Sequence, residues 1–139
     1  MVLAVALTSA LFGIALPSAE RVDRERNAAL ATAELESIGE TAAWLAAKND
    51  PVAPDRDPAA ITVTVDVPDP TFTDRGRIRL RDDELRFHPA DARSHTVDPP
   101  VPFRVETPIV TTDRIRVRLS YVTVDGRAVV LATPEDPRV

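Results

Sequence analysis

The sequence predicts an α+β fold in which a long N-terminal helix, an apolar anchor followed by an amphipathic half, packs on a small antiparallel β-sheet of five or six strands. Three observations lead to this prediction. Residues 1–49 are rich in good helix formers and contain a single proline, Pro17. Twelve of the 13 prolines lie beyond residue 50, so we expect no long helix there. From residue 59 onward, apolar residues recur at every second position, which is the period of a half-buried strand.

Residues 1–19 form an apolar segment with no charged side chain. As a helix, the 16 residues from Val2 to Pro17 would be about 24 Å long, against a hydrocarbon core of about 30 Å. Three interpretations are open: a membrane anchor, a cleaved signal peptide and a buried core helix. We favour the anchor, because the segment is apolar on every side rather than along one stripe.

Residues 20–49 predict an amphipathic helix that either starts after Pro17 or continues through it with a kink. Its apolar residues follow a heptad pattern with spacings of 3, 4, 3, 4 and 3 residues. We call these residues the helix seam: Ala28, Ala31, Leu35, Ile38, Ala42 and Leu45. The seam predicts packing against the protein's own domain or, alternatively, against a protein partner or a second copy of the chain. Gly39 is the weak point of this helix, since Gly costs about 1 kcal/mol relative to Ala.

Residues 50–58 predict a Pro-rich linker, and residues 59–139 predict the antiparallel β-domain. We expect strands at residues 61–67, 77–80, 84–88, 103–110 (interrupted by Pro108), 115–124 and 128–132. Asp82-Asp83 and Asp125-Gly126 predict tight hairpin turns, and Asp-Gly is the stronger of the two. Residues 90–102 are polar and Pro-rich, so we expect an exposed loop there.

The composition excludes several classes of functional site. The absence of Cys excludes disulfides, thiolate metal sites and Cys nucleophiles. Two His and four Gly are too few to suggest a multi-histidine metal site or a Gly-rich phosphate loop. Ser94, His95 and Asp98 have the residue types of a catalytic triad, but they share one loop without a nucleophile elbow. We therefore expect no catalytic residues and no cofactor.

Clustered acidic residues do not change that expectation. Asp82, Asp83 and Glu84 offer carboxylates, as do Asp55 and Asp57. A calcium loop needs more ligands at fixed spacing and a Gly. We interpret these residues as turn and surface residues and expect no metal site.

Two strands carry alternating arginines: Arg77, Arg79 and Arg81 on the first, and Arg114, Arg116 and Arg118 on the second. Alternation places each trio on the solvent side of its strand. Because the net charge is −5, we expect the excess acids to form cross-strand ion pairs with these trios. Binding of an anionic polymer or glycan is the alternative. A net acidic chain argues against a nucleic-acid partner.

The balance of charged residues also indicates the setting. Lys48 is the only Lys among 17 basic residues, and Asp is more frequent than Glu. Such a composition is typical of proteins that stay soluble in high salt, where excess like charge opposes association. A GC-rich genome would also favour Arg over Lys. We expect a halophilic archaeal source.

The order of elements resembles type IV pilins and pseudopilins: an apolar run from Val2, a proline near its end, an amphipathic helix and a small antiparallel sheet. It is also similar to small uncharacterised haloarchaeal membrane proteins with this layout. In pilins the apolar half-helix anchors the subunit in the membrane and packs in the filament core. The first acid here is Glu20, whereas pilins usually have a Glu early in the mature helix.

We therefore expect a non-catalytic structural or interaction protein, held in the cell membrane by one span, with a pilin-like or secretion-associated role. Its expected partners are the membrane, through the N-terminal helix, and a protein or second copy, through the amphipathic helix. Arg21, Arg24 and Arg26 follow the apolar run, and the positive-inside rule would place them in the cytoplasm. The pilin-like layout places the β-domain outside, which we favour. The alternative is a secreted or surface binding module with a cleaved signal peptide.

Overall fold

The computed structural model describes the backbone of residues 2–71, 73–90 and 92–135, and the side chains of these residues from Ser18 onward. These described residues form one helix and eight strands. These are α1 (Val2–Lys48), β1 (Ala60–Asp66), β2 (Arg77–Arg81), β3 (Glu84–His88), β4 (His95–Val97), β5 (Phe103–Val105), β6 (Ile109–Thr111), β7 (Arg114–Val124) and β8 (Arg127–Glu135).

Helix α1 runs through Pro17 without a break and ends at Lys48. Its end has local causes. The side-chain amide of Asn49 donates a hydrogen bond to the Leu45 carbonyl at 2.9 Å, which satisfies one of the carbonyls left open at a helix C-terminus. Pro51 follows shortly afterwards and cannot extend the helix. Lys48 in the last turn places a positive charge at the negative end of the helix dipole.

The strands form two sheets of four strands, so the prediction of one sheet with five or six strands is wrong. The first sheet has the order β1-β7-β8-β5, and the second has the order β4-β3-β2-β6. All pairs are antiparallel except β5 with β8, which is parallel. Two local features explain the error. Strand β4 lies inside the segment predicted as a loop, and Pro108 separates β5 and β6 into different sheets rather than merely interrupting one strand.

Both predicted tight turns close hairpins. In the β7–β8 hairpin, Asp125 and Gly126 have φ values of 52° and 76°. Positive φ at both central residues is the requirement of a type I′ turn, whose twist matches that of the flanking strands. In the β2–β3 hairpin, Arg81 pairs with Glu84 across the Asp82-Asp83 turn, and Asp83 has a φ of 52°.

The main core lies between α1 and the two sheets. The helix contacts β1, β7 and β8 of the first sheet and β3 and β4 of the second. The largest fully buried side chains are Phe103, Leu35, Ile78, Leu80, Leu85, Leu119, Val65, Val117, Val122 and Val130. A Cβ at Gly39 would lie 3.1 Å from the Pro100 side chain, so the helix and the segment before β5 approach closely at this position. The glycine that weakens the helix locally therefore allows this contact.

Hydrogen bonds attach two irregular segments of the chain, one to the helix and the other to the first sheet. Asp23 is buried, and its carboxylate accepts hydrogen bonds from the Thr71 amide at 3.1 Å and the Thr73 hydroxyl at 3.0 Å. The segment predicted as a linker contacts the first sheet, because the Thr123 amide donates to the Val52 carbonyl at 2.9 Å. These bonds hold two irregular segments against the helix and the first sheet.

The Asp82-Asp83 turn links the second sheet to the first. The carboxylate of Asp83 accepts a hydrogen bond from the Phe103 amide at 2.9 Å, and that of Asp82 accepts one from the Val105 amide at 2.8 Å. Both amides belong to β5, whose other edge pairs with β8. The turn carboxylates therefore satisfy donors at the outer edge of the first sheet.

We predict that Leu35→Ala lowers the free energy of unfolding by about 2–5 kcal/mol, because it removes a fully buried side chain from the core. Leu30→Ala is the matched control on the same helix. Leu30 is 49% exposed, so its truncation should change stability by about 0.5 kcal/mol or less. Urea unfolding of both variants measures the difference, and equal losses would contradict the assigned buried face.

We predict that Asp83→Ala destabilises the protein by about 1–3 kcal/mol more than Asp125→Ala, because only the first variant leaves an amide at Phe103 without its acceptor. Both residues have a φ of 52°, so the backbone strain introduced by Ala is matched. Chemical denaturation of the two variants gives the difference, and a value near zero would refute the role of this hydrogen bond.

Candidate functional site

The helix seam faces the protein's own sheets. Five of its six residues are buried: Ala31, Leu35, Ile38, Ala42 and Leu45. Ala28, the sixth, is half-buried and lines a cavity beside the second sheet. The structure thus places the seam against the domain of the same chain, which is one of the two packing arrangements that the heptad pattern allowed.

The opposite side of α1 carries the exposed apolar residues of the helix. Val22, Leu30 and Trp44 are 61%, 49% and 55% exposed. At 100° per residue these three positions fall within one face of the helix. A partner that contacts the described part of α1 would meet this face rather than the seam.

A cavity of about 190 Å³ lies between residues 24–28 of α1 and the second sheet. Its walls include Asn27 and Ala28 from the helix and Phe87 and His95 from the sheet. The rings of Phe87 and His95 are stacked, with centroids 6.5 Å apart. The ring of His95 thus packs on Phe87 at the inner side of the second sheet, where it borders this cavity.

The arginine trio on β7 largely behaves as the charge balance predicted. Arg114 is hydrogen-bonded to Asp66 at 2.6 Å, and Arg116 lies 3.5 Å from Glu135. Each pair joins residues that are directly opposite in the sheet register. Cross-strand ion pairs therefore account for two of these three arginines.

The trio on β2 does not follow that expectation. Arg77, Arg79 and Arg81 form no ion pair with any residue that the structure describes. The β2–β3 register instead places Arg79 opposite Arg86 and Arg77 opposite His88. We call these four residues the arginine block. They lie on the outer face of the second sheet, since the intervening residues Ile78, Leu80, Leu85 and Phe87 are buried in the core.

His88 is the titratable centre of the arginine block. Its Nδ1 lies 2.8 Å from the Ser94 hydroxyl, and its Nε2 is buried without a hydrogen-bond partner among the described residues. Burial lowers the pKa of His88 from its usual value of 6.5, and the charges of Arg77, Arg86 and Arg79 lower it further. The imidazole is therefore held neutral where a free histidine would begin to protonate.

The residue sets considered for chemistry are separated in the fold. Ser94 is paired with His88 rather than with His95, whose ring packs on Phe87. Asp82 and Asp83 accept backbone hydrogen bonds from β5, as expected for turn residues. Among the described residues, no group of three or more His, Cys, Asp or Glu could hold a metal ion.

The pairing of Arg79 with Arg86 follows from the sequence once the turn between the two strands is placed. A two-residue turn at Asp82-Asp83 fixes the hairpin register and so places Arg79 opposite Arg86. The hydrogen bond between Ser94 and His88 could not be inferred in this way, because residues 90–102 carry no clear strand pattern.

We predict that Arg79→Gln raises the pKa of His88 toward 6.5, because it removes one of the charges that disfavour the imidazolium. An NMR titration of the His88 ring protons measures this change. Arg118→Gln removes one positive charge from the other sheet and should leave the pKa of His88 unchanged. Equal behaviour of the two variants would contradict the proximity of Arg79 to His88.

The same pKa shift links the protein's stability to pH. Since the pKa of His88 is lower in the folded protein, the unfolded chain takes up this proton first as pH falls below 6.5. We predict that this contribution to stability is lost between pH 6.5 and the folded-state pKa. His88→Gln should remove that part of the pH dependence in denaturation curves. An unchanged pH profile would contradict the lowered pKa.

The predicted anchor falls largely outside the described side chains, which begin at Ser18. Within the described part, no helix is long and apolar enough to cross a membrane.

Comparison with known proteins finds one relationship. A family model described as a domain of unknown function (DUF7311) matches residues 1–135. No curated protein and no solved structure matches the chain. The match spans the apolar N-terminal segment together with the helix and both sheets. It is consistent with the expected uncharacterised family, whereas the haloarchaeal source and the pilin-like character stay predictions. The chain therefore belongs to the family of this domain of unknown function.

Proposed function

We propose that the protein is a non-catalytic structural or interaction protein that is tethered to a membrane through residues 1–19 and presents its α+β domain at the membrane surface. The observation that carries this proposal is the uncharged apolar sequence before Glu20, which continues directly into the helix that organises the domain. A hydrocarbon core accommodates such a segment if the bilayer thins or the span extends into Ser18 and Ala19.

The continuity of α1 supports a tether that also positions the domain. The helix extends without a break from Val2 to Lys48, and its second half supplies buried residues such as Leu35 and Ala42 to the core. The hydrogen bonds that Asp23 accepts from Thr71 and Thr73 attach the loop before β2 to the middle of α1. A domain joined in this way would keep a fixed orientation relative to the anchor.

A binding role is favoured over a catalytic one by the arrangement around His88. A serine hydroxyl lies beside the imidazole, but the second ring nitrogen has no carboxylate to orient it among the described residues. A working triad needs that third group and an oxyanion site aligned with the nucleophile. The neighbouring arginines favour binding of negative charge.

The layout also supports a pilin-like or secretion-associated role within this proposal. An apolar segment, a continuous helix and a β-domain packed on its second half follow one another along the chain. The β-domain would then face the outside of the cell. Protease added to intact cells should digest the domain in that orientation, and protection of the domain would place it inside.

Fractionation of the full-length protein tests the tether. We predict that the protein sediments with membranes after alkaline extraction and has an intact mass that includes residues 1–19. Leu11→Arg should shift it toward the soluble fraction, since an arginine at a span centre costs about 2.5–3.5 kcal/mol. Val22→Arg introduces the same side chain at a position that is 61% exposed in the folded domain and should leave it in the membrane.

Two outcomes would overturn the tether. A soluble protein that has lost about 15–19 residues, which is within the length range of a whole signal peptide, would establish the alternative of a secreted or surface binding module. Membrane association that persists when residues 2–17 are deleted would show that another part of the chain holds the protein there.

A further inference from the structure

The arginine block concentrates positive charge on one face of an otherwise acidic protein. Arg77, Arg79 and Arg86 share this face with His88, while the whole chain has a net charge of −5. Cross-strand neighbours in a sheet have Cβ atoms about 5 Å apart, and alternate residues along a strand are about 7 Å apart. The side chains of the three arginines therefore extend from neighbouring positions, and their guanidinium groups are close enough to contact one small anion.

The register of the β2–β3 hairpin costs stability at this face, and a bound negative charge would reduce that cost. Directly opposed like charges destabilise a strand pair, and Arg79 lies directly opposite Arg86. Strand β7 differs from β2, because Asp66 and Glu135 lie opposite its Arg114 and Arg116. A chain with 22 acidic residues has acids to place opposite arginines, yet β3 presents a second arginine to Arg79.

Three buried nitrogen atoms of the block also lack a hydrogen-bond partner within the described part of the chain. These atoms are the Nε atoms of Arg79 and Arg86 and the Nε2 atom of His88. The Nε atom of Arg86 lies 3.0 Å from the Glu84 carboxylate, which partly compensates its charge, but the two groups do not form a hydrogen bond. A buried polar nitrogen without a hydrogen-bond partner destabilises the folded protein, so an anion that accepts hydrogen bonds from these groups removes that cost when it binds.

The hydrogen bond between Ser94 and His88 is linked to whether the Nε2 atom of His88 acts as a donor or as an acceptor. When Ser94 donates its proton to Nδ1 at 2.8 Å, the neutral imidazole carries its own proton on Nε2 and presents it as a donor. Burial and the surrounding arginines lower the pKa of His88, so its ring carries a single proton. Glu84 lies at the opposite end of β3 from His88, next to Arg81 and Arg86, so an anion is favoured at the end formed by Arg77 and His88.

We propose that the arginine block binds a tetrahedral oxyanion, the phosphate or sulfate group of a ligand, between Arg77, Arg79, Arg86 and Nε2 of His88. Guanidinium groups donate paired hydrogen bonds to such oxygens, and these charge-assisted bonds are stronger than neutral ones. A tetrahedral group offers acceptors in several directions, as donors from two strands require. The site goes beyond the membrane tether and does not depend on it.

Exchange of anions at constant ionic strength tests the site in the full-length protein. Replacing chloride by inorganic phosphate or sulfate should raise the thermal unfolding temperature and shift the His88 ring resonances in NMR spectra more than those of His95. The double variant Arg79→Gln/Arg86→Gln should weaken phosphate binding by about 10- to 100-fold, as expected for the loss of one or two charge-assisted hydrogen bonds. The same variant should remain folded in the absence of phosphate, since it removes a like-charge pair.

The matched control is Arg116→Gln/Arg118→Gln, which removes the same two charges from the first sheet. It should retain the phosphate response, because the arginine block is intact. A wild-type protein that shows no response to phosphate, sulfate or a phosphate-bearing vesicle would overturn the proposal. An equal loss of response in the two double variants would also overturn it, since that result reports net charge and not a site.

The source of the oxyanion is distinguished by a second arm of the experiment. Vesicles of phosphatidic acid in phosphatidylcholine present the phosphate on a membrane surface, and inorganic phosphate presents it free. A response of the His88 resonances to inorganic phosphate assigns the site to a soluble or covalently carried oxyanion. A response to the vesicles alone, lost in Arg79→Gln/Arg86→Gln, assigns it to a lipid headgroup.

Discussion

Burial of one face of α1 against two separate sheets is the constraint on which the structure depends. Leu35 and Ala42 are fully buried, and the helix touches strands of both sheets. Among the described residues, neither four-stranded sheet has another element of this size to cover its apolar side, and apolar surface on a sheet must be buried against a second layer. The helix therefore covers the apolar sides of both sheets, and its small residues let the helix backbone approach them closely.

Polar contacts then fix how the sheets are arranged around the helix. Asp82 and Asp83 extend from a turn of the second sheet to the amides of β5 in the first. Such hydrogen bonds contribute little net energy when made but leave a costly buried donor when lost. They specify position more than they add stability, which explains why carboxylates in a tight turn carry part of the sheet-to-sheet geometry.

The two arginine trios differ in whether carboxylates lie opposite them. On β7, carboxylates of β1 and β8 neutralise Arg114 and Arg116, and exposed pairs of this kind contribute little to stability. On β2, Arg79 lies opposite Arg86, and a histidine whose pKa is lowered lies beside them. Identical alternation in the sequence thus yields a neutralised surface on one strand and a charged one on the other.

Local patterns in the sequence by themselves determined the helix, the buried identity of its seam, both hairpins and the positive-φ turn at Asp125-Gly126. These features depend on side-chain period and on backbone preferences within a few residues. The tertiary structure alone decided that the strands divide into two sheets, that β5 pairs in parallel with β8, and that the seam faces its own domain. It also decided that Ser94 reaches His88. These outcomes depend on which segments meet across long stretches of chain, and the short, polar β4 shows that pairing can form a strand where the local pattern predicts a loop.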